Sequence, residues 1–382
     1  MADPGVMDVA VIGCGFVADY YMATLAEHPG IRVVAAMDIV PAHADRFAAH
    51  WKVPVHYDLA GLLAGAPFTM ALNLTNPDAH FAVSKACLEA GKHVYSEKPF
   101  TLRVEDGQTL VALADRMGVR IAAAPCLHLS EAVQAMKREL DGGRIGKPLL
   151  AYAEMDDDLV GRSTYRNWRS VSGAPWPYQD EFEVGVTLEH VGYSLGALMA
   201  LFGPVRRVVG LAALLYPGKP IFPGKAEGQD FSVAVLQFES GMTARLTTTN
   251  VAPRDHSIEV IGEDGVMRAE DCWHYATPVT SRRYMRIRNR FMLTPWKTRI
   301  RQIPCGPPSR TRGAGSMDFA RGPAELANAI LQDRPSLMPV DFALHVNEVS
   351  LAIHATFRDG GPTDYTTTTR FAPLAPVASP IV

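Results

Sequence analysis

A chain of 382 residues is too long for one ordinary compact domain and suits two, each able to bury its own core. Apolar residues make up 48% and charged residues 20%, a balance that excludes disordered and fibrous classes. Its 37 basic and 40 acidic side chains leave a net charge of −3, so the total charge points to neither a nucleic-acid nor a membrane partner.

The opening stretch MADPGVMDVAVIG has no basic region and no long apolar run before a small-residue cleavage site. Nowhere does an apolar run reach the ~18 residues of a membrane span. A cytoplasmic location is the expectation. Cys14, Cys87, Cys126, Cys272 and Cys305 show no CxxC spacing, so they read as reduced, mostly buried thiols and not as a disulfide or zinc framework.

Residues 8–12 form a short apolar strand ending in Gly13, and a helix is predicted from Phe16 to about His28, stopped by Pro29-Gly30. A second strand, 31–37, ends in Asp38. Helix 41–50, strand 69–74, helix 78–90, strand 92–95, helix 103–117 and strand 119–124 follow. Strands alternating with helices imply a parallel sheet covered on both faces, hence an α/β, doubly wound Rossmann domain over residues 1–126.

The rhythm then changes. A helix at 130–140 and a strand at 148–155 lead into an irregular Trp-, Pro- and Gly-rich stretch from 160 to 185, then a helix at 187–201. Strand candidates at 205–215, 230–238, 242–250, 256–261 and 265–270 succeed one another without helices. This predicts an α+β domain on a largely antiparallel sheet over 127–382, closed by helices near 317–332 and 341–357. Residues 281–312 hold ten Arg or Lys and no acid, interrupted by Pro295, Pro304, Pro307 and Pro308. They read as an irregular, solvated excursion, with an arm to an anionic substrate or neighbouring subunit as the alternative.

Gly13-Cys14-Gly15-Phe16-Val17-Ala18 fits G-x-G-x-x-A between a strand and a helix. The first glycine allows the tight turn, the second lets backbone approach a pyrophosphate, and the small third residue lets helix and strand pack closely. The helix N-terminus offers free N–H groups to the phosphates. Asp38, 20 residues beyond Ala18, ends the second strand where ribose recognition belongs. A carboxylate there accepts from ribose hydroxyls and repels a 2′-phosphate, so NAD is expected in preference to NADP. The alternative is an Asp that only caps the next helix.

Glu97-Lys98-Pro99 follows strand 92–95 at the carboxyl edge of the sheet, where open α/β sheets place ligands. With GCGFVA, with Thr75-Asn76-Pro77 and His80, with GKHVYSEKPF and with a strand-rich second half, the chain resembles the Gfo/Idh/MocA oxidoreductases over nearly its whole length. The resemblance implies cofactor contacts from Gly13, Gly15, Phe16, Val17, Ala18, Asp38, Thr75, Asn76, Pro77, His80, Glu97 and Lys98. It also implies that Lys98 lies beside the nicotinamide and the substrate alcohol. Partial desolvation near a cationic ring is expected to lower its pKa into a useful range. Glu97 would orient the ribose or the lysine, and Pro99 would fix the turn.

The family's second signature, an acid and a histidine four residues apart in D-x-G-x-H, is altered here. Counting back from Gly203-Pro204 puts Glu189 at the acid and Tyr193 at the histidine, and some relatives, among them glucose–fructose oxidoreductase, likewise carry tyrosine there. Positions i and i+4 share a helix face, whereas His190 is rotated by ~100°. Tyr193 is therefore the candidate acid/base, with Glu189 its polar partner and His190 the rival, since histidine titrates in the useful range. Tyr193 as a core tyrosine is the competing reading.

No third ligand accompanies Cys126 and His128, so no metal site is expected. Asp180, Glu181 and Glu183, with Trp168, Arg169, Trp176 and Tyr178, either line a sugar pocket or form a packed loop.

The expected reaction is reversible hydride transfer between nicotinamide C4 and a secondary alcohol carbon of a sugar, cyclitol or nucleotide-linked sugar. Two alternatives stay open: an NAD-dependent glycosidase using transient oxidation, and a catalytically silent NAD-binding sensor or corepressor. The resemblance further implies a homo-oligomer, dimer or tetramer, joined through the second domain's sheet.

Overall fold

The computed structural model describes residues 5–307, 317–358, 360–361 and 363–377. The first sheet is built from β1 (Met7–Ile12), β2 (Ile31–Met37), β3 (Val55–His56), β4 (Met70–Asn73), β5 (His93–Ser96) and β6 (Ile121–Ala123). All its pairings are parallel, in the order β3-β2-β1-β4-β5-β6 of a doubly wound Rossmann sheet. β1, β4 and β6 are almost entirely buried because helices cover both faces, which is why these segments read as unbroken apolar runs.

The connecting helices are α1 (Phe16–Leu25), α2 (Pro41–Trp51), α3 (Leu59–Gly65), α4 (Pro77–Glu89) and α5 (Val104–Met117). Proline begins α2 and α4, where its missing N–H costs nothing, and Gly118 ends α5 in the left-handed region at φ 65°. The short β3 and α3 escape sequence reading because two strand residues and seven helical ones carry too little periodicity.

The second half contributes α6 (Glu131–Asp141), β7 (Pro148–Asp156), α7 (Tyr178–Val184), α8 (Val186–Phe202), β8 (Val205–Ala213), β9 (Phe231–Phe238), β10 (Thr243–Thr249), β11 (Ile258–Gly262) and β12 (Gly265–Ala269). It continues with β13 (Val279–Ile287), β14 (Arg290–Leu293), β15 (Thr298–Arg299), α9 (Arg321–Leu331), α10 (Val340–Arg358) and β16 (Thr363–Thr366). These strands form one mixed sheet, β14-β13-β12-β11-β7-β10-β9-β8-β16, parallel only where β10 meets β7. Strands β8 and β9 alternate buried and outward residues, so one face packs on α8 and α10 while the other is open.

The basic segment is not irregular as expected. Residues 279–299 form β13, β14 and β15 at the sheet's edge, turning at Arg288 with φ 54°. The arginines project mainly to solvent there, so strand pairing buries little charge, and Pro295 and Pro304 fall outside the strands. Residues 308–312 of that segment lie outside the described residues.

The tail returns to the first sheet. Helix α10 packs on α5 and β6, and the Arg120 guanidinium donates to the carbonyls of Ala329, at 2.8 Å, and Arg334. These contacts tie the second half to the first. The five cysteines are buried free thiols. Among the described residues no single helix is long and apolar enough to cross a membrane. The pair α7–α8 passes together by length and composition, but it bends by 77° and α8 is largely buried.

Candidate active site

At the end of β1 the chain turns at Gly13 with φ 95°, and a Cβ there would lie 2.6 Å from the Leu74 carbonyl oxygen. Only glycine fits. Gly15, the N-cap of α1, is different: an added Cβ would meet nothing within 4 Å, so the protein itself does not demand glycine there. Ala18 is fully buried beneath the turn, while Phe16 and Val17 are half-buried. Asp38 holds this turn in shape. Its carboxylate accepts from Cys14 N at 2.9 Å and Val40 N at 2.8 Å, and Arg46 donates to the Cys14 carbonyl at 2.8 Å. Asp38 thus braces the turn from the end of β2 and does not cap α2, whose N-cap is Val40 with no side-chain cap bond.

The two motifs beyond β4 and β5 are tied together by His80. Its buried ring lies 2.8 Å from the Thr75 carbonyl through Nε2 and 2.7 Å from the Pro99 carbonyl through Nδ1. Burial lowers its pKa, opposed by these two carbonyls. The Thr75 hydroxyl donates to Asn73 at 2.7 Å, and Pro77 opens α4. Glu97 does not reach outward. Its carboxylate accepts from the Tyr21 hydroxyl at 2.6 Å and the Lys98 backbone N–H at 2.8 Å.

Lys98 crosses the cleft, where its ammonium pairs with the Glu189 carboxylate in the first turn of α8. Glu181 on α7 lies within hydrogen-bonding reach of Glu189, and its carboxyl is pushed well above the usual range by burial and by Glu189. Tyr193, one turn on from Glu189, is buried beside Lys98, and its phenol is raised by burial against the pull of Lys98. It borders a small cavity lined also by Tyr21, Glu97, Cys126, Tyr275 and Phe319.

The Lys98 pKa is not lowered as expected. Burial does act to lower its pKa, but Glu189, with Tyr193, Glu181 and Glu97 adding to it, outweighs that and raises the pKa. His190 leaves this group and turns to Asp157, with Nδ1 3.2 Å from Oδ2. It still flanks Tyr193, ring to ring at 6.5 Å.

A second link across the cleft joins Asn76 to Asp180 at 3.2 Å. Trp168, Trp176, Tyr178 and Tyr165 pack mainly on one another and on Phe182, while Arg169 donates to the carbonyls of Arg166 and Trp168. Cys126 Sγ meets the Tyr275 hydroxyl at 3.2 Å, and His128 faces the Leu337 carbonyl. Among the described residues no group of three or more His, Cys, Asp or Glu is arranged to hold a metal ion.

Comparison with known proteins fits this geometry. Residues 7–124 match the oxidoreductase family with an NAD-binding Rossmann fold, and residues 133–268 match the GFO/IDH/MocA C-terminal domain. The chain belongs to the Gfo/Idh/MocA oxidoreductase family. It is similar to the D-apiose dehydrogenase of Paraburkholderia graminis, 25% identical over 68% of this chain and 66% of that protein, just under two thirds of the relative. Inositol 2-dehydrogenase of Burkholderia multivorans is 24% identical over 77% of this chain and 81% of its own. In fold it is similar to the WlbA dehydrogenase from Bordetella pertussis, solved with NADH and UDP-GlcNAcA. The TM-score is 0.74, at 20% identity, over 96% of this chain and 100% of that one.

The turn at 13–18 suits the NAD of the Gfo/Idh/MocA family on this chain's own terms. The open space at Gly15 sits at the uncapped N-terminus of α1, where a pyrophosphate accepts from backbone N–H groups, and the Asp38 carboxylate lies at the adjoining strand end. Arg46, Tyr21 and Asp157 were not singled out from sequence, and Glu181 was noted only as a pocket-lining acid. Arg46, Tyr21 and Asp157 act through partners 32 or more positions away, and Glu181 through burial and Glu189, none of which leaves a local pattern.

Proposed function

We propose that the protein catalyses reversible hydride transfer between nicotinamide C4 of NAD and a secondary alcohol or ketone carbon of a sugar, cyclitol or nucleotide-linked sugar. The observation that carries this reading is Lys98, at the carboxyl edge of the parallel sheet, meeting Glu189 from the second half across the cleft. The sugar-like substrate class rests on the names of the relatives.

When bound, NAD supplies the hydride acceptor or donor; the protein supplies alignment and proton handling. Gly13, Gly15, Phe16, Val17, Ala18 and Asp38 hold the adenosine and pyrophosphate end, and Thr75, Asn76, Pro77, His80 and Glu97 shape the nicotinamide side. Lys98, kept cationic by Glu189, donates to the reacting oxygen. Tyr193 stays protonated near neutral pH and offers a second hydrogen bond to the substrate.

In this reading residues 1–126 bind the dinucleotide and 127–382 bind substrate and join subunits. The open sheet face carries Val209, Leu211 and Val235 outward, which supports a homo-oligomer, dimer or tetramer. The test is NADH absorbance over a panel of polyols, aldoses and nucleotide-linked sugars, with Lys98→Met alongside. Turnover in the wild type that is lost in the variant supports the proposal. Tight NAD binding without turnover on any of them overturns it.

A further inference from the structure

Beside Lys98 and Tyr193 lies a chain of charged groups that the proposed reaction has not yet used. Asp157, just beyond β7, presents Oδ2 to His190 Nδ1 at 3.2 Å and accepts from His256 Nε2 on Oδ1 at 2.9 Å. His256, ahead of β11, has its other nitrogen 3.5 Å from Asp271, and Arg254 reaches both carboxylates, at 3.6 Å and 3.2 Å. The Trp273 indole packs edge-on against His190, Tyr193 and His256, with Arg254 over its face.

The burial of this array is graded. The His256 side chain is 0% exposed, whereas His190 keeps 21% and Asp271 34%. His190 Nε2 makes no hydrogen bond among the described residues, while Nδ1 faces a carboxylate. A carboxylate on one ring nitrogen fixes the proton there and leaves the other nitrogen as the base. Although 3.2 Å apart, neither His190 Nδ1 nor Asp157 Oδ2 completes a hydrogen bond among the described residues, and such contacts commonly tighten when substrate engages.

We infer that His190 is the proton acceptor for the substrate hydroxyl, with Asp157 and His256 as positioning residues that hold it in the Nδ1–H tautomer. This rests on the hydride-transfer reading above. In the oxidising direction the C–H hydride leaves to the nicotinamide, the C–O bond becomes C=O, and the hydroxyl proton passes to His190 Nε2, directly or through the Tyr193 hydroxyl. The imidazolium so formed is stabilised by Asp157 and releases its proton to solvent. Reduction runs the same steps backwards.

The charged and titratable groups around His190 are Asp157, His256, Arg254, Asp271, Lys98, Glu189 and Tyr193. Burial lowers the His190 pKa, opposed by Asp157. For His256 burial is outweighed by the two carboxylates, and the pKa is raised. A neutral His190 behind a carboxylate whose far side meets a cation is the arrangement a base needs near pH 7.

The test uses the full chain labelled with 15N-histidine, with the His190 signal assigned through His190→Gln. Long-range 1H–15N correlation spectra should show His190 as the Nδ1–H tautomer at pH 7, shifting towards Nε2–H in Asp157→Asn and in His256→Gln. NAD affinity is expected to stay within about threefold. On a turned-over alcohol, Asp157→Asn should lower kcat by about 10²-fold and move the acid limb of the pH profile, with Asp157→Glu restoring part of it. An unchanged tautomer in both Asp157→Asn and His256→Gln overturns the inference, even if the enzyme is active. Where the wild type turns nothing over, the hydride-transfer reading falls, and with it the acceptor role of His190; the tautomer spectra then decide the positioning by Asp157 alone. If Asp157→Asn does not fold, the tautomer in His256→Gln decides by itself, a shift supporting the inference and no shift overturning it.

Discussion

Lys98 and Glu189 form an ion pair across the interdomain cleft, the ammonium rising from the turn after β5 and the carboxylate from the first turn of α8, with side chains 17% and 9% exposed. Removing one member leaves a buried charge without its partner, which generally costs about 3–5 kcal/mol. Glu181 can share a proton with an orphaned Glu189, so Lys98→Met should lie near ~3 kcal/mol, read from urea denaturation. Its turnover should fall by about 10²–10⁴-fold with NAD affinity little changed. The pair's stabilisation is complete below the ordinary lysine pKa of 10.5 and is lost only as pH rises through the higher folded value. Denaturation midpoints of Glu181→Gln, free of that neighbour's own titration, should therefore show no titration of this pair between pH 5 and 9.

Glu181 predicts a loss of stability in the same direction, but at lower pH. Its carboxyl is raised from the ordinary 4.5, first by burial and then by Glu189, so the folded protein binds a proton that the unfolded chain releases. Stability therefore falls as pH climbs from 4.5 towards the folded pKa. Glu181→Gln removes that loss. Its melting temperature should exceed the wild type's at pH 7–8 and differ little at pH 4, in scanning calorimetry across that range.

Gly13 and Gly15 separate folding from binding. Alanine at 13 is strained at φ 95° and collides with Leu74, so Gly13→Ala should lose at least ~1–3 kcal/mol. Alanine at 15 meets nothing in the protein, so Gly15→Ala should melt within a few degrees of the wild type. Its NAD affinity should still drop by an order of magnitude or more, because the methyl group takes the space of the pyrophosphate. Calorimetric titration with NAD beside a thermal melt measures both; equal NAD affinity in Gly15→Ala would remove the turn from the cofactor site.

How far the chain could be read in advance follows from where each signal resides. Gly13, Gly15 and Lys98 sit in local motifs, and the strands around them are apolar on both faces, so pattern and position agree. Glu189 and Tyr193 were reachable through the resemblance, by counting the family's second signature back from Gly203-Pro204. Their companions were not. Asp157 is 33 residues from His190 and 99 from His256, and nothing near any of them signals the others. Strands β13 and β14 were hidden by their arginines, since edge strands tolerate charge that a central strand does not.

Asp38 should govern cofactor choice. Its carboxylate already accepts from Cys14 N and Val40 N, so substitution also loosens the glycine turn. Asp38→Ser should weaken NAD and narrow the preference over NADP, since the charge that repels a 2′-phosphate is gone while a hydroxyl remains. Kd for both dinucleotides decides it. An unchanged ratio would leave Asp38 only its role in holding the turn.

A strap from the second half closes onto α1. Asp19, in the first turn of α1 and 2% exposed, accepts from the Trp51 indole N–H at 2.6 Å, from the Ser170 hydroxyl, and from Ser172 through N at 3.1 Å and Oγ at 2.7 Å. The loop carrying both serines thus closes on the helix whose N-terminus bounds the glycine turn. Replacing both serines by alanine leaves the Ser172 N–H and Trp51 in place but strips two hydroxyl donors from a buried carboxylate, a loss of ~2 kcal/mol or more. Hydrogen exchange should accelerate over residues 163–176, and NAD should dissociate faster, because opening the strap exposes the turn more often. Faster exchange with unchanged NAD dissociation would show that the strap closes the fold and not the cofactor site.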